Sequence, residues 1–336
     1  MLAWCAMDSR SCPARILLVR LSAIGDVIHT LPAAATLKTR FPAAAVEWVV
    51  DRRWAYLLEE NPFLSHVIPV DGRSLGGVMA ARRLVRSRRY DLVVDFQGLM
   101  RSAWIAGGGI GEVVGLPIGQ VREWPAAFLY SRRVAVREHH MVDRNLELAA
   151  SVGATRVVVE FPLPRGRCEG ELPDRSFVLA SPVAGWGAKE WPLQYYGDLA
   201  AALERKHGVS LVLNGPSEVE PILRSVPQGW LHLSGLPGLV DATRRAVAVV
   251  GVDSGPLHIA AALGKPGVAV FGPTDPSRNG PYGGTIRVLR SAHAVSSYRR
   301  RQGIGKAMWT VTPADVLETI EGLGVLPGSP KMPVGP

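Results

Sequence analysis

The sequence predicts an α/β protein made of two Rossmann-like halves. Strand-like apolar runs alternate with helical patterns along the chain, which is the rhythm of a parallel sheet with helices on its faces. A stretch rich in Pro and Gly at 161–175 interrupts this rhythm, which then restarts. With 336 residues and 47% hydrophobic composition, the chain is long enough for two cores of ordinary size. Its apolar runs are far shorter than the roughly 20 residues that a membrane span needs.

The first half alternates strands and helices from residue 15 onward. Buried apolar runs predict strands, and apolar residues at a spacing of 3.6 predict helices. The predicted strands are 15–21, 45–50, 66–70 and 91–95. The predicted helices are 27–40, 53–60, 75–88, 99–106 and 143–152. We expect one domain over 15–160, preceded by a disordered extension at 1–14.

The same alternation returns after the predicted linker at 161–175 and indicates a second domain over 176–323. Its predicted strands are 177–181, 210–214, 246–251 and 267–271. Its predicted helices are 193–206, 218–225, 239–245 and 256–263. Thr312-Pro-Ala-Asp315 supplies a cap and an early Pro for a last helix at 316–323. The Gly- and Pro-rich residues 324–336 are expected to form a flexible tail.

Composition favours a soluble protein of the cytosol. Cys5, Cys12 and Cys168 have neither framework nor metal-ligand spacing, which fits a reducing compartment. The first 14 residues contain Asp8 and Arg10 and lack a continuous apolar core, so they are not typical of a signal peptide.

The net charge of +9 is concentrated in the first half, where Arg82, Arg83, Arg86, Arg88 and Arg89 form the densest cluster. Charge alone favours a solvated helix face. An anionic membrane surface, a phosphorylated substrate and nucleic acid are the alternatives. Nucleic acid is the least favoured, because no aromatic residues are interleaved in the arginine run and no known binding motif accompanies it.

The segment Arg20-Leu-Ser-Ala-Ile-Gly-Asp26 places a carboxylate where the first buried strand turns into a helix. An Asp at that junction can cap the helix by accepting a hydrogen bond from an early backbone N–H. Ligands of open α/β sheets bind beyond the carboxyl ends of strands, so this carboxylate also lies at an edge where ligands bind. The segment by itself favours the cap.

Two turns in the second half are suited to an anion. Gly251-Val-Asp-Ser-Gly-Pro-Leu-His258 follows an apolar strand and opens a helix, so backbone N–H groups and the positive helix end face outward. Phe271-Gly-Pro-Thr-Asp-Pro276 repeats the arrangement, with Gly272 allowing close approach and Thr274 offering a hydroxyl. Both are also compatible with ordinary capped turns, and neither is a dinucleotide fingerprint or a P-loop. Lys189, in a glycine-bearing loop, could neutralise a diphosphate or be an ordinary surface lysine.

Five segments occur in order along the chain, namely 20–32, Asp95-Phe-Gln-Gly-Leu99, Trp186-Gly-Ala-Lys-Glu-Trp-Pro192, 251–258 and 271–276. Together they resemble the ADP-heptose:lipopolysaccharide heptosyltransferases of glycosyltransferase family 9, and most of all the heptosyltransferase I branch. The resemblance implies a GT-B fold, with two Rossmann-like domains facing an interdomain cleft. It also implies an inverting transfer of heptose from ADP-L-glycero-D-manno-heptose to 3-deoxy-manno-octulosonic acid (Kdo) of the lipopolysaccharide inner core.

The resemblance also assigns roles to individual residues. It makes Asp26 the general base and Lys189 the cation that stabilises departing ADP. The implied donor-binding residues are Gly185, Trp186, Glu218, Asp253, Ser254, Gly255, His258, Gly272 and Thr274. The implied acceptor-binding residues are Ser22, Gly25, Asp95, Gln97, Arg101, His140 and Arg144. Some relatives carry threonines where Ala184-Gly-Trp186 stands, so hydroxyl contacts to the donor are not available from these side chains. A structural packing role is therefore the alternative to donor binding for Trp186.

The implied partners are ADP-heptose, a Kdo-lipid A acceptor and the cytoplasmic face of the inner membrane, to which a monomer would bind peripherally. We expect no nucleic acid, no cofactor and no required metal, because the chain has neither a D-x-D motif nor an H-E-x-x-H motif. Two alternatives stay open. One is a different GT-B nucleotide-sugar enzyme, such as another family 9 transferase or a 2-epimerase, and the other is a non-catalytic module that binds anionic glycan.

Overall fold

The chain forms two compact units, Met1–Pro162 and Leu163–Pro336. The structure is a computed structural model that describes residues 12–297 and 303–328. Most of the predicted N-terminal extension and C-terminal tail, at 1–11 and 329–336, therefore lies outside the described residues. The boundary between the units falls within the segment predicted as a linker. Each unit contains a six-stranded parallel sheet.

The first unit alternates strands and helices as the apolar pattern predicts. Its strands are β1 (Arg15–Val19), β2 (Ala45–Asp51), β3 (His66–Val70), β4 (Leu92–Asp95), β5 (Glu112–Gly115) and β6 (Arg132–Arg133). Its helices are α1 (Ile24–Ile28), α2 (Leu31–Arg40), α3 (Leu75–Arg88), α4 (Met100–Ala106) and α5 (Met141–Ala150), with 3-10 helices at Ala55–Leu58 and Trp124–Leu129. The sheet order is β3-β2-β1-β4-β5-β6. Ile16 to Val19 are fully buried, as expected for a central parallel strand covered on both faces.

The second unit repeats this architecture. Its strands are β7 (Phe177–Ala180), β8 (Ser210–Gly215), β9 (Trp230–Leu233), β10 (Ala248–Val252), β11 (Gly267–Phe271) and β12 (Ile286–Arg290). Its helices are α6 (Leu193–His207), α7 (Glu220–Arg224), α8 (Leu236–Arg245), α9 (Gly255–Ala262), α10 (Pro276–Asn279) and α11 (Pro313–Glu321), with 3-10 helices at Gly187–Lys189, Ser217–Val219 and Lys306–Thr310. The sheet order is β12-β11-β10-β7-β8-β9.

Both sheets have the strand order of a Rossmann fold, because in each unit the third, second, first, fourth, fifth and sixth strands are neighbours in that order. The chain reverses its winding direction between β1 and β4 in the first unit, and between β7 and β10 in the second. Ligands of such sheets bind beyond the carboxyl ends of the strands at this switch point. The two Rossmann-like domains predicted from the sequence are confirmed.

Several predicted elements were wrong in detail. The single helix predicted at 27–40 is broken into α1 and α2, because Pro32 has no N–H to bond the carbonyl of Ile28. The helix predicted at 53–60 shrinks to one 3-10 turn, and the helix predicted at 218–225 begins as a 3-10 turn before α7. Strands β5, β6, β9 and β12 were not predicted. They are short and lie toward the outer edges of the sheets, and two to five residues give too little apolar pattern to identify a strand.

Candidate active-site residues

Asp26 lies in α1, directly after the central strand β1. Its Oδ2 accepts a hydrogen bond from the backbone N–H of Ala23 at 3.2 Å, so it does cap the helix. Its Oδ1 lies 2.6 Å from Nη2 of Arg20. The Arg20 side chain is almost fully buried and also donates to the carbonyl of Phe96, whereas 27% of the Asp26 side chain is exposed. The carboxylate is therefore fixed in orientation while still open to solvent.

Other predicted acceptor residues lie beside the β1–α1 turn. Oε1 of Gln97 accepts from the backbone N–H of Leu21 at 2.6 Å. The Gln97 amide and the Arg101 guanidinium both donate to Oγ of Ser22, each at 3.4 Å. Gly25 is part of α1, and its carbonyl accepts from the backbone N–H of His29. The structure thus brings Gln97 and Arg101 to the β1–α1 turn, the turn that contains Ser22 and leads into Gly25 and Asp26.

Asp95 does not line an open site, which corrects its predicted role as an acceptor contact. Its side chain is fully buried. Oδ1 accepts from the backbone N–H groups of Gln97 and Gly98, and Oδ2 accepts from the hydroxyls of Ser102 and Tyr130 at 2.9 and 2.8 Å. All of its accepting capacity is used within the unit, and burial raises its pKa. Asp95 therefore positions Gln97 and α4.

His140 and Arg144 lie at the start of α5. The ring of His140 caps the helix through Nδ1 and stacks edge-on against the buried ring of His29, with 5.3 Å between ring centroids. Arg144 donates to the carbonyl of Glu138. Sequence reasoning missed Asn145, a buried residue whose amide donates to the carbonyl of His29 at 2.9 Å and so ties α5 to the end of α1. Its partner is 116 residues away, and no local pattern reveals such a contact.

The second unit has a charged pair at its switch point. Nζ of Lys189, in the loop after β7, lies 2.5 Å from Oδ2 of Asp253, which follows β10. Nε2 of His258 lies 3.8 Å from the other carboxylate oxygen. Burial opposes ionisation of Asp253, but His258 and the Lys189 ammonium outweigh it and hold the pKa of Asp253 well below its usual range. The carboxylate is therefore charged at neutral pH.

Trp186 contacts the same lysine. The Lys189 ammonium lies 5.0 Å from the centroid of the indole ring, which is a cation–π distance. A side chain added at Gly185 would meet open space. The loop is braced by Glu190, whose carboxylate accepts from the backbone N–H of Ala184 at 3.0 Å. Trp186 thus packs against Lys189 and helps to orient its ammonium group.

Two buried hydroxyls lie at the neighbouring strand ends. Within the described residues, Oγ of Ser254 and Oγ1 of Thr274 are buried without a hydrogen-bond partner. Ser254 precedes α9 but does not cap it through its side chain, so the capped-turn alternative does not account for this hydroxyl. Gly255 opens α9, where free backbone N–H groups favour an anion. These hydroxyls are therefore available to donate to a polar group at the strand ends.

Gly272 and Glu218 complete the predicted donor residues. A Cβ at Gly272 would lie 2.6 Å from Sδ of Met308, so the backbone after β11 packs closely against the 3-10 helix at Lys306–Thr310. Glu218 is exposed in the 3-10 turn after β8, the strand next to β7. It therefore lies one strand end away from the loop that carries Lys189.

No helix among the described residues is both long and apolar enough to cross a membrane. Over the same ranges, no three His, Cys, Asp or Glu side chains are arranged to hold a metal ion.

Comparison with known proteins identifies the family of the chain. Residues 78–307 match glycosyltransferase family 9 (heptosyltransferase). The chain belongs to this family. Lipopolysaccharide heptosyltransferase 1 of Pseudomonas aeruginosa is 33% identical to this family 9 protein, over 80% of this chain and 81% of the relative. Lipopolysaccharide heptosyltransferase 2 of Salmonella typhimurium is 29% identical, over 92% of this chain and 98% of the relative.

The solved structures agree with the family assignment. E. coli heptosyltransferase WaaC with ADP matches this family 9 protein with a TM-score of 0.74 and 25% identity, over 92% of this chain and 99% of that chain. E. coli ADP-heptose lps heptosyltransferase II matches equally well, with a TM-score of 0.74 and 25% identity, over 92% of this chain and 98% of that chain. Both structures are GT-B heptosyltransferases, so the predicted GT-B fold is confirmed. The predicted resemblance to the heptosyltransferases, with heptosyltransferase I among them, is confirmed as well.

Proposed function

We propose that this family 9 glycosyltransferase moves heptose from ADP-L-glycero-D-manno-heptose to Kdo of the lipopolysaccharide inner core, with inversion at the anomeric carbon. The observation that carries the proposal is the Lys189–Asp253 pair beside two unbonded buried hydroxyls at the switch point of the second unit. A related structure was solved with ADP. Cation, hydroxyls and free N–H groups suit the diphosphate of such a donor.

Asp26 is the proposed general base. Its ion pair with Arg20 and its bond from Ala23 fix the carboxylate, and the exposed part of the side chain can accept a proton. As the acceptor hydroxyl loses its proton to Asp26, its oxygen bonds to the anomeric carbon of the donor. The bond from that carbon to the phosphate oxygen breaks on the opposite side, which inverts the configuration.

Lys189 is the proposed stabiliser of the leaving group. Charge accumulates on the departing diphosphate, and an ammonium already oriented by Asp253 and Trp186 needs little reorganisation to meet it. The hydroxyls of Ser254 and Thr274 would donate to the same oxygens, and the N-terminus of α9 adds a positive dipole. In this proposal, Gly255, His258 and Gly272 shape the cradle, Asp253 contacts the sugar hydroxyls, and Glu218 contacts the ribose.

The acceptor distinguishes two versions of this function. Similarity to heptosyltransferase 1 favours heptose-free Kdo. The chain also aligns with heptosyltransferase 2 over 92% of its length, which favours an acceptor that already carries one heptose as the second candidate. In either case the acceptor is anchored in lipid, so we propose that the protein works at the cytoplasmic face of the inner membrane. We further propose that it does so as a monomer.

The experiment is a transfer assay with the purified chain, ADP-heptose and two acceptors, Kdo-lipid A without heptose and the same acceptor carrying one heptose. We expect transfer to the heptose-free acceptor, with a product whose anomeric configuration, measured by NMR, is opposite to that of the donor. Transfer only to the heptosylated acceptor would select the second candidate. Transfer only from another nucleotide sugar, or epimerisation without transfer, would overturn the proposal.

A further inference from the structure

Three elements of the first unit cover one face of its sheet. α3, α4 and the 3-10 helix at Trp124–Leu129 all belong to crossovers that run from β3 toward β6, and right-handed crossovers in one direction lie on one face. Their inner sides share one core, and α4 packs against both of the others. Their outer sides, with Arg122 and Arg133 from the segments before and after the 3-10 helix, form what we call the aromatic–arginine face. It consists of Leu75, Met79, Arg82, Arg83, Arg86, Met100, Trp104, Arg122, Trp124, Phe128 and Arg133.

The face exposes large apolar side chains on all three elements. Leu75 is 82% exposed, Trp124 is 64% exposed and Phe128 is 59% exposed. Met100 and Trp104 lie four residues apart on α4 and point to the same side. Single exposed apolar residues are normal on a protein surface, but a set on adjacent elements marks an interaction site.

The charges on the same face are cationic and adjoin the rings. The Arg82 guanidinium lies 4.2 Å from the centroid of the Trp104 ring and donates to the Trp104 carbonyl. Arg133 lies 5.8 Å from the Phe128 ring. Arg83 and Arg86 are exposed on α3. The bordering carboxylates are fewer than the arginines and bond to the chain at helix starts, since Asp71 accepts from Ser74 and Glu123 accepts from the backbone N–H of Met100.

The face adjoins the turn that carries Asp26. The first residues of α3, α4 and the 3-10 helix all lie at the carboxyl edge of the sheet, as Asp26 does. Arg101 of α4 links the two regions, because its guanidinium donates to Ser22 and to the carbonyl of Gly72. A substrate held at this face would therefore approach the candidate base without leaving the first unit.

We propose that the aromatic–arginine face docks onto an anionic lipid bilayer, with Trp104, Trp124 and Phe128 at the depth of the headgroups and the arginines on lipid phosphates. Exposed indole and phenyl rings beside arginines are the composition that binds membrane interfaces, since the rings gain from partial burial and the cations from a negative surface. The proposed function, with its lipid-anchored acceptor, explains why membrane binding would be useful, and the inference rests on it in that respect alone. Lipid binding itself is measured without any transfer reaction.

The test is cosedimentation of the full chain with phosphatidylcholine vesicles that contain or lack phosphatidylglycerol. Trp124→Ser combined with Phe128→Ser should weaken binding to anionic vesicles by at least about tenfold. Arg83→Glu combined with Arg86→Glu should weaken it by at least about 25-fold and reduce the preference for anionic lipid, since each arginine near the surface contributes about fivefold. Ile222→Ser combined with Val288→Ser, and Arg205→Glu combined with Arg287→Glu, at exposed positions of the second unit, are the matched controls and should bind like the parent.

Melting curves and light scattering accompany each variant. The substituted side chains are exposed, so the variants should melt with the parent. Equal vesicle binding by the parent and both double variants would overturn the inference. So would a parent dimer that the variants dissolve, because the face would then bind a second copy. Parent binding to anionic vesicles without any heptosyl transfer would leave this inference standing while removing the proposed function. Transfer to a delipidated acceptor without vesicle binding would do the reverse.

Discussion

At the scale of single residues, Asp26 shows that a carboxylate can bond to the start of a helix and still be exposed enough to accept a proton. One oxygen accepts from the Ala23 N–H, and the other pairs with Arg20. The segment alone favours the cap, and the geometry confirms that the cap exists. What the segment does not reveal is the buried guanidinium of Arg20, which holds the carboxylate in one orientation at a strand end.

Replacing Asp26 by Asn should separate the two roles. Asn keeps an oxygen for the Ala23 N–H but cannot take a proton at neutral pH, so turnover should fall by at least about 100-fold. The lost pairing with buried Arg20 should cost about 1 to 3 kcal/mol of stability. ADP-heptose affinity, measured by calorimetry, should persist.

A matched control comes from Asp71, another carboxylate beside a helix start, which accepts from the backbone N–H groups of Arg73 and Ser74 just before α3. Asp71→Asn should leave turnover near that of the parent. If Asp26→Asn also kept the parental kcat, Asp26 would be a cap only and the base would have to be another group.

Lys189 is the second residue whose role a substitution can test. Lys189→Ala should lower kcat/KM by an amount equivalent to about 2 to 4 kcal/mol of transition-state stabilisation, the cost of losing an oxyanion stabiliser. It should also lower stability, because Asp253 would remain charged and buried without its cation.

Adding Asp253→Asn to Lys189→Ala should recover the lost stability without restoring turnover. Thermal melting and steady-state kinetics on the two variants check both expectations. Lys206→Ala, which removes an exposed ion pair with Glu321, should change neither quantity appreciably. Parental kinetics for Lys189→Ala would remove this lysine from the mechanism.

At the scale of elements, the sequence predicted what local pattern controls. Buried runs such as 16–19 identified the central strands, and the signals at Thr312 and Pro313 identified the start of α11. Edge strands such as β9 and β12 were missed, because they are short and partly exposed and their pairing depends on distant neighbours. Strand order and side-chain partners, including Asn145 with His29, are tertiary properties that no single segment encodes.

The cap of α11 offers a test at this scale. Oγ1 of Thr312 accepts from the Asp315 N–H at 3.2 Å, and Asp315 accepts in return from the Thr312 N–H at 2.7 Å. The helix buries Val316 and Ile320 completely. Thr312→Ala should therefore cost about 1 kcal/mol in urea unfolding.

Thr319→Ala, on the same helix, is the control and should be neutral or slightly stabilising, since Ala is the better helix former. Equal effects of the two substitutions would mean that loss of a hydroxyl, not loss of the cap, determines the cost.

At the scale of the whole molecule, the arginine cluster that dominates the charge pattern is divided among three tasks. Arg88 pairs with the nearly buried Glu47 at 2.6 Å, where Arg15 and the hydroxyl of Tyr90 also bind the carboxylate. Arg82 packs on Trp104. Arg83 and Arg86 remain on the surface. A solvated helix face therefore describes only part of this cluster, and the rest stabilises the sheet and α4.

Two buried carboxyls should make the free energy of unfolding depend on pH in opposite directions, because burial raises the pKa of one and hydrogen bonds lower the pKa of the other. Burial raises the folded pKa of Asp95 above 3.8, so the native state binds more protons than the unfolded state. The contribution of Asp95 to stability is therefore complete below about pH 4 and is lost as pH rises through the folded pKa. For Asp51, burial is outweighed by the hydrogen bonds from Arg53, and the folded pKa is lowered. Its contribution is present above about pH 4 and is lost as pH falls.

Asp95→Asn and Asp51→Asn form a pair that tests this prediction. Asn does not titrate, and at position 95 its oxygen can still accept from the N–H groups of Gln97 and Gly98. The stability of Asp95→Asn relative to the parent should therefore rise between pH 4 and 8, whereas that of Asp51→Asn should fall from pH 3 to 5 and then level off. Thermal unfolding at each pH measures both. If the two differences moved in the same direction, the four hydrogen bonds to Asp95 would outweigh its burial, and this carboxyl would be ionised in the folded protein.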